Sequence, residues 1–371
     1  MNNNLALNPT GIQQWLRRRP KASDKERENT RRAAVALAYR AAMRVLPLYW
    51  QSSTNHKLHR SKQDIAFDAY IPIGLVIASM RALASATALR TSSRVAANTY
   101  PAIRNDATEA FFFSSLIASA DFDELDGTEL EHLLAISAAT VAWTHSTRWA
   151  IAPAQADIVA LDQGLPLIAS RLWPGENPLT DVWAETRKNM LAQGPGWKFW
   201  VDWYDKALRG DPQDWDLLTK VALIDPDDWD KGADHVNALI QQIIEQHTLA
   251  IEARRLKAEN ERLVEQLRVL AQRSHNNPPE LVDDAPTPET LTVIWAHLDE
   301  AQRELDKPNP MPSRLVRIAG LLKKAALVIG ALILLPIGTA MGDFCVKLIA
   351  HNESIIAFAD TLMNFARTLG N

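Results

Sequence analysis

The sequence has a single cysteine, Cys345, among its 371 residues. One cysteine excludes an intramolecular disulfide and a zinc site built from four cysteines. The sequence also lacks a phosphate-binding loop, a dinucleotide-binding glycine motif and the HExxH and GxSxG patterns. Its first twenty residues have no apolar core of a secretory signal. These absences favour a chain that is not an enzyme, uses no cofactor and keeps its main part in a reducing compartment.

Two groups of side chains resemble metal ligands. His56 and His59 are three residues apart in a basic stretch, without an acidic residue or cysteine close by in sequence. The segment DPDDWD, residues 225–230, resembles a calcium loop but lacks the glycine and the final glutamate at the required offsets. We therefore predict no metal site, and we expect these aspartates to cap turns.

Strand patterns are scarce, whereas helical spacing is common. Residues 31–192 are rich in alanine and leucine and begin with RRAAVALAYRAAMRVLPLYW. The apolar stretches 70–80 and 110–120 are too short to cross a membrane and suit buried helices. Residues 1–30 are polar and basic, which predicts a flexible arm with one short helix around Gln13–Arg19. The predicted fold class is all-α, with an N-terminal helical bundle over 31–192.

Residues 193–245 are rich in tryptophan and acidic residues. Trp197, Trp200 and Trp203 follow helical spacing, and Gly210 is placed to end that helix. The pattern predicts a compact helical module in which the indoles form the core. The alternative is that some indoles stack on a base or on a partner protein.

Residues 246–273 have the pattern of a coiled coil. Four leucines from 249 to 270 recur every seven residues. With these leucines at the d positions, Asn260 occupies an a position, where its amide would pair with its copy in a dimer. Three heptads are short, and an amphipathic helix packed within one chain is the alternative. The predicted oligomerisation residues are Leu249, Leu256, Asn260, Leu263, Leu267 and Leu270.

A proline-rich linker with one short helix is predicted over 274–313, followed by a transmembrane helix over 314–342. Residues 325–342 are 18 consecutive residues without a charge. A helix of that length reaches about 27 Å, close to the roughly 30 Å thickness of a bilayer's hydrocarbon core. Basic residues precede this run, which places the N-terminal region in the cytoplasm. The alternative is a buried helix of a soluble domain.

Residues 343–371 predict an amphipathic helix that is too polar to face lipid on all sides. It lies on the outer membrane surface, or several copies turn their polar faces inward around water. Within the span, small residues permit close helix approach and a proline bends the helix. The predicted membrane and pore residues are Gly330, Pro336, Gly338, Gly342, Asp343 and Lys347.

The first 62 residues contain 13 Lys or Arg and only 3 Asp or Glu. This excess of positive charge indicates a site for a phosphate-rich ligand, either a nucleotide or a nucleic-acid strand. Alternatively, the basic residues are a solvated surface that also pairs with the acidic stretch 176–245. The predicted ligand-binding residues are Arg31, Arg32, Arg40, Arg44, Lys57, Arg60 and Lys62.

WKFWVDWYDKALRG (197–210), with VALIDPDDWDKGADHVNALIQQI (221–243), resembles a module of many bacterial proteins, and HNNPPE (275–280) resembles a motif that often follows it. Together with the helical region, the coiled coil and the span, these segments make the chain resemble the transmembrane effector of Hailong-type anti-phage defence. This resemblance implies a tetrameric channel that is held closed by a nucleotide oligomer from a partner nucleotidyltransferase. It assigns no ligand-binding residues.

We therefore expect a homo-oligomeric effector of anti-phage immunity in the bacterial inner membrane. The chain would cross the membrane once, with its N-terminal domain in the cytoplasm. A triggered channel or pore would depolarise the membrane, under the control of a nucleotide or oligonucleotide. A tetramer is favoured, with a dimer as the alternative. The alternative functions are a non-conducting membrane-tethered scaffold and a nucleic-acid-binding protein.

Overall fold

The computed structural model contains helices in two compact units. The residues that it describes are 14–55, 151–229, 231–274, 287–333 and 342–370. Within these ranges there is no strand, which confirms the all-α class. Unit 1 is Met1–Gln241 and unit 2 is Gln242–Asn371, so the division lies inside one long helix.

The helices are labelled in chain order. In unit 1 they are α1 (Asp24–Asn55), α2 (Ile151–Asp162), α3 (Thr180–Ala192), α4 (Lys198–Arg209), α5 (Trp215–Ala222) and α6 (Pro226–Trp229). Helix α7 (Ala233–Ser274) contains the division. Unit 2 continues with α8 (Pro288–Leu305), α9 (Pro312–Ile333) and α10 (Gly342–Leu369).

Aromatic side chains form the centre of unit 1. Trp50 of α1, Trp183 of α3 and Tyr204 of α4 are buried. The ring centroids of Trp183 and Tyr204 are 4.4 Å apart, and each lies 5.7 Å from that of Trp50. Trp200 and Trp203 are also buried. The indoles of Trp197, Trp200 and Trp203 are therefore packed in a core, as the sequence predicted.

At the start of the described chain, a short helix lies where the sequence predicted one within the basic arm. Residues 14–17 are helical, and Trp15 and Leu16 are buried. The indole Nε1 of Trp15 donates to the Asp162 carboxylate at 3.2 Å, and Arg19 pairs with the same carboxylate at 3.6 Å. Burial of these side chains stabilises a segment whose polar composition suggested disorder. Residues 1–13 lie outside the described residues.

Unit 2 is a bundle of four antiparallel helices. Lys257 of α7 pairs with Asp299 of α8, at 2.6 Å. Lys323 of α9 pairs with Asp360 of α10 at 2.7 Å, and a Cβ at Gly330 would lie 3.1 Å from Nδ2 of Asn352. Positions along α9 therefore rise as positions along α10 fall, which makes these two helices an antiparallel hairpin.

The heptad leucines of α7 lie in the core of this bundle. Leu249, Leu256, Leu263 and Leu267 are buried, and Leu270 is partly buried. They share one apolar cluster with side chains of α8, α9 and α10. Their surroundings match the alternative of an amphipathic helix packed within one chain. Association between chains stays a prediction.

The predicted continuous helix over 314–342 is not observed in the described residues. Helix α9 ends at Ile333 and α10 begins at Gly342, while residues 334–341 lie outside the described residues. No helix in the described part of the chain combines the length and the apolar character that a membrane span requires. Helix α9 contains four basic residues, and it buries Leu315, Leu322 and Ile329 in the core of unit 2.

Candidate functional site

The uncharged run 325–342 lies where α9 leads into α10. Four aliphatic side chains of the described residues are exposed near the end of α9 and the start of α10, and we call them the hairpin tip. They are Leu327 and Val328 of α9 and Val346 and Ile349 of α10, with exposed fractions of 58%, 55%, 67% and 41%.

Helical spacing explains why the tip residues of α9 face outwards. Ala326 and Ile329 are buried against the bundle, whereas Lys324, Leu327 and Val328 lie on the opposite face at spacings of three and four residues. None of the described helices of unit 2 therefore covers the side chains of Leu327 and Val328.

The exposed residues around the tip differ in charge from those along the rest of the hairpin. The side chains of Lys324 and Lys347 are exposed next to the apolar tip residues. Further along α10, the exposed positions are occupied by polar residues such as Glu353, Asp360 and Arg367. The tip is thus an apolar end with a basic rim, an arrangement that suits an amphiphilic surface.

A second feature of unit 2 is a group of buried polar side chains, Asn260, His351 and Asn352, which we call the polar layer. The amide Nδ2 of Asn260 donates to the backbone oxygen of Leu291 at 2.8 Å. Its Oδ1 is therefore the acceptor for the Nε2–H of His351, at 3.3 Å. These two bonds connect α7 with α8 and α10.

Burial governs the chemistry of the polar layer. His351 is 5% exposed and Asn260 is fully buried. Desolvation lowers the pKa of His351 to about 4, so the ring is neutral at pH 7. Asn352 is 7% exposed, and its Oδ1 has no hydrogen-bond partner. Such a group weakens the core locally, because a buried acceptor without a donor costs about 1–3 kcal/mol.

Two of the predicted ligand-binding arginines are instead buried in unit 1. Arg40 is 4% exposed and Arg44 is 2% exposed, and both pair with the buried carboxylate of Asp157, at 2.9 and 2.8 Å. Arg40 also donates to the backbone oxygens of Leu167 and Ser170, at 2.8 and 2.9 Å. Their guanidinium groups hold the segment after α2 against α1, and the surface does not present them to a ligand.

Of the other predicted ligand-binding residues, only Arg31 and Arg32 lie in the described part of the chain. Arg31 and Arg32 are both in α1, and the side chain of Arg32 is exposed. Lys57, Arg60 and Lys62 lie outside the described residues.

Four of the six predicted pore residues lie in the described part of the chain. Gly330 contacts Asn352 in the polar layer, and Lys347 is exposed at the tip. Gly342 and Asp343 form the start of α10, whereas Pro336 and Gly338 lie outside the described residues.

The described residues contain no group of His, Cys, Asp and Glu side chains that could hold a metal ion. Asp228, which belongs to the segment that resembles a calcium loop, pairs with Lys231 at 2.7 Å and with His235 at 2.9 Å. Asp225 accepts a hydrogen bond from the backbone N–H of Asp227, as expected for a turn. His56 and His59 lie outside the described residues.

Sequence reasoning missed two features of these sites. Asp157 of α2 and His351 of α10 are buried polar residues, and no spacing rule identifies the partners that they meet in the fold. Asn260 was singled out by its position in the heptad, but its observed partners belong to the same chain. A buried polar residue on a leucine-rich helix face indicates that a hydrogen-bond partner exists, but it does not identify that partner.

No known family, curated protein or solved structure matches this chain in the comparisons.

Proposed function

We propose that this chain acts at a membrane and that the hairpin tip is the part of unit 2 that enters the lipid. One observation carries the proposal. Leu327, Val328 and Val346 are each more than half exposed at the end of the hairpin where the uncharged run 325–342 lies. Exposed aliphatic side chains gathered at one end of a domain are typical of surfaces that bind a membrane or another protein.

The free energy that the tip would gain in lipid indicates reversible membrane binding. Complete burial of an aliphatic side chain contributes about 1.5–3 kcal/mol, so four half-exposed ones contribute roughly 4 kcal/mol. Two lysines near an anionic lipid surface add about 1 kcal/mol each. The total of about 6 kcal/mol corresponds to an affinity gain of about 10⁴, comparable to that of one myristoyl chain.

Reversible docking does not open a pore, so the fuller function requires a second step. Several copies acting together would multiply the affinity of one tip. We propose that the run 325–342 becomes a continuous span in the membrane-bound oligomer, since its 18 residues reach about 27 Å as a helix. The assembled spans would then depolarise the membrane.

The wider context of the proposal is anti-phage immunity in the bacterial inner membrane. The basic N-terminal region supports control by a nucleotide or oligonucleotide from a partner nucleotidyltransferase, with a tetramer favoured over a dimer. Of the residues first assigned to that ligand, Arg40 and Arg44 are buried against Asp157, and binding of the ligand by Arg31 and Arg32 of α1 stays a prediction.

Liposome flotation tests the role of the tip. We expect Val328→Glu to reduce by about tenfold or more the binding of the full chain to vesicles of phosphatidylethanolamine and phosphatidylglycerol, because a carboxylate would have to enter lipid. Val316→Glu is the matched control. It changes the same residue type in the same helix, 40% exposed, about 18 Å away along the axis.

Equal loss of binding in the two variants would contradict insertion of the tip. If neither the variants nor the wild type bind the vesicles, the proposed function itself is contradicted. Circular dichroism and size-exclusion chromatography would establish that both variants keep the fold.

A further inference from the structure

We propose that the His351–Asn260 pair is an acid-sensitive latch, which holds α10 against α7 at neutral pH and releases it when His351 is protonated. The geometry supports this assignment. A single side-chain amide receives the imidazole N–H from α10 and donates to the backbone of α8, at 3.3 and 2.8 Å. If His351 leaves this position, the contacts among α7, α8 and α10 are therefore disturbed.

The neutral ring fits this place and the charged ring does not. With Nε2 donating to Asn260, a second proton would go onto Nδ1 of a side chain that is 5% exposed as a whole. In the described part of the chain no carboxylate lies within ion-pair distance of the ring. A buried charge without a partner costs several kcal/mol unless the structure opens to water.

The charged groups around the ring do not compensate for this cost. On α7, Glu259 favours the protonated ring and Arg255 opposes it, and both effects are smaller than that of burial. Helix α8 presents the backbone oxygen of Leu291, with the carboxylate of Glu289 exposed two residues earlier.

The remaining two helices add no fixed negative partner. Helix α9 has no titratable residue after Lys324. On α10 itself, the nearest charged residues, Lys347 and Glu353, are exposed.

The contact of Asn352 with α9, next to His351, makes the release of α10 easier. Asn352 follows His351 and faces α9 at Gly330, where the structure leaves the Oδ1 of Asn352 without a donor. Opening lets water satisfy this oxygen while it solvates the imidazolium. Separation of α10 from its neighbours at the polar layer therefore relieves one unsatisfied oxygen.

The direction of the pH dependence follows from the two states of the ring. The pKa of His351 is about 4 in the docked helix and returns to the ordinary 6.5 in the released one. Docking is therefore fully favoured above pH 6.5 and weakens as the pH falls from 6.5 towards 4. At pH 5.0 the opening equilibrium should be about 30-fold larger than at neutral pH.

Cys345 provides a native reporter of this opening. It is the only cysteine of the chain, lies six residues before His351 on α10 and packs against the apolar cluster. We would measure its rate of reaction with 4,4′-dithiodipyridine in the full chain at pH 7.5 and pH 5.0. Dividing the wild-type rate by that of His351→Gln at each pH removes the intrinsic pH dependence of the thiol.

The latch predicts that this ratio rises about 30-fold between pH 7.5 and pH 5.0. His351→Gln keeps a donor near the Nε2 position but does not titrate. His247→Gln, at a buried histidine of α7, is the matched control and should retain the acid response. A ratio that does not change with pH, or an acid response lost equally in His247→Gln, would overturn the proposal.

Asn260→Asp gives a second, opposite test. A carboxylate facing the ring would stabilise the imidazolium, so acid should slow the labelling of Cys345 instead of accelerating it. Acceleration equal to that of the wild type would overturn the latch even if His351→Gln failed to fold.

The consequence for lipid rests on the proposed function, whereas the labelling experiment does not. If the hairpin tip acts at membranes, flotation of the wild type should increase at pH 5.0 and that of His351→Gln should not. Acid-dependent labelling without acid-dependent flotation would leave the latch in place and contradict its link to the membrane.

Discussion

At the scale of single residues, Gly210 shows how a helix end and a tertiary contact depend on one missing side chain. It follows α4 in the left-handed conformation, with φ at 74°. A Cβ at this position would lie 2.5 Å from the backbone nitrogen of Arg171. That same segment supplies the backbone oxygens that bind Arg40. Gly210 and Arg40 therefore hold the segment in place from two sides.

We predict that Gly210→Ala lowers the free energy of unfolding of unit 1 by about 2–4 kcal/mol. About 1 kcal/mol comes from the left-handed backbone and the rest from the close contact with Arg171. Gly164→Ala is the matched control, because Gly164 has φ at 72° and nothing within 4 Å of its Cβ position. Urea unfolding followed by tryptophan fluorescence would measure both. Equal losses would mean that the contact with Arg171 does not matter.

At the scale of helices, α7 combines a coiled-coil pattern with a core that belongs to its own chain. Leu256 is fully buried in the cluster shared with α8, α9 and α10, whereas Ile251 is 46% exposed on the same helix. The heptad spacing ensures that the leucines share a face, but it does not determine which helix covers that face. Hydrogen bonds of Asn260 and Gln246 to backbone oxygens in and after α8 specify that partner.

We predict that Leu256→Ala lowers the free energy of unfolding of unit 2 by about 2–5 kcal/mol. Ile251→Ala should change it by less than about 1 kcal/mol, because its side chain is largely in water already. The loss in Leu256→Ala should be independent of protein concentration if the leucine acts within one chain. A midpoint in urea that shifts with concentration would instead support a coiled coil between chains.

At the scale of the whole molecule, the apolar C-terminal region has two structural roles. Helices α9 and α10 contribute half of the core of unit 2 and also present the exposed hairpin tip. Ending the chain at Pro312 would remove both helices and uncover the leucines of α7. Loss of activity in such a truncation would therefore say little about the tip, and substitutions on the outer face of α9 are more informative.

We predict that cells expressing the wild-type chain or Val316→Glu lose membrane potential on triggering, measured with a voltage-sensitive dye. Cells expressing Val328→Glu should keep their potential, because the charged tip cannot enter lipid. The amounts of the two variants would be matched by immunoblotting. Full depolarisation by Val328→Glu would exclude the tip from the conducting state.

The sequence predicts the helical class, the tryptophan core of unit 1 and the helix that ends at Gly210, because these depend on local spacing and on residues with strong conformational preferences. It also identifies the uncharged run and the leucine stripe. The partners of these segments depend on contacts between residues far apart in the chain. Examples are Arg40 with Asp157 and Asn260 with His351, which are 117 and 91 positions apart.

An apolar face establishes that a helix will be covered, whereas shape and hydrogen bonding between distant segments decide what covers it. The sequence alone determined that this chain is helical and has one long uncharged run. Only the tertiary structure decided that α9 packs beside α10 in a bundle and that the basic Arg40 and Arg44 face inwards. Burial of an apolar surface is non-directional, so its outcome is settled when the whole chain has packed.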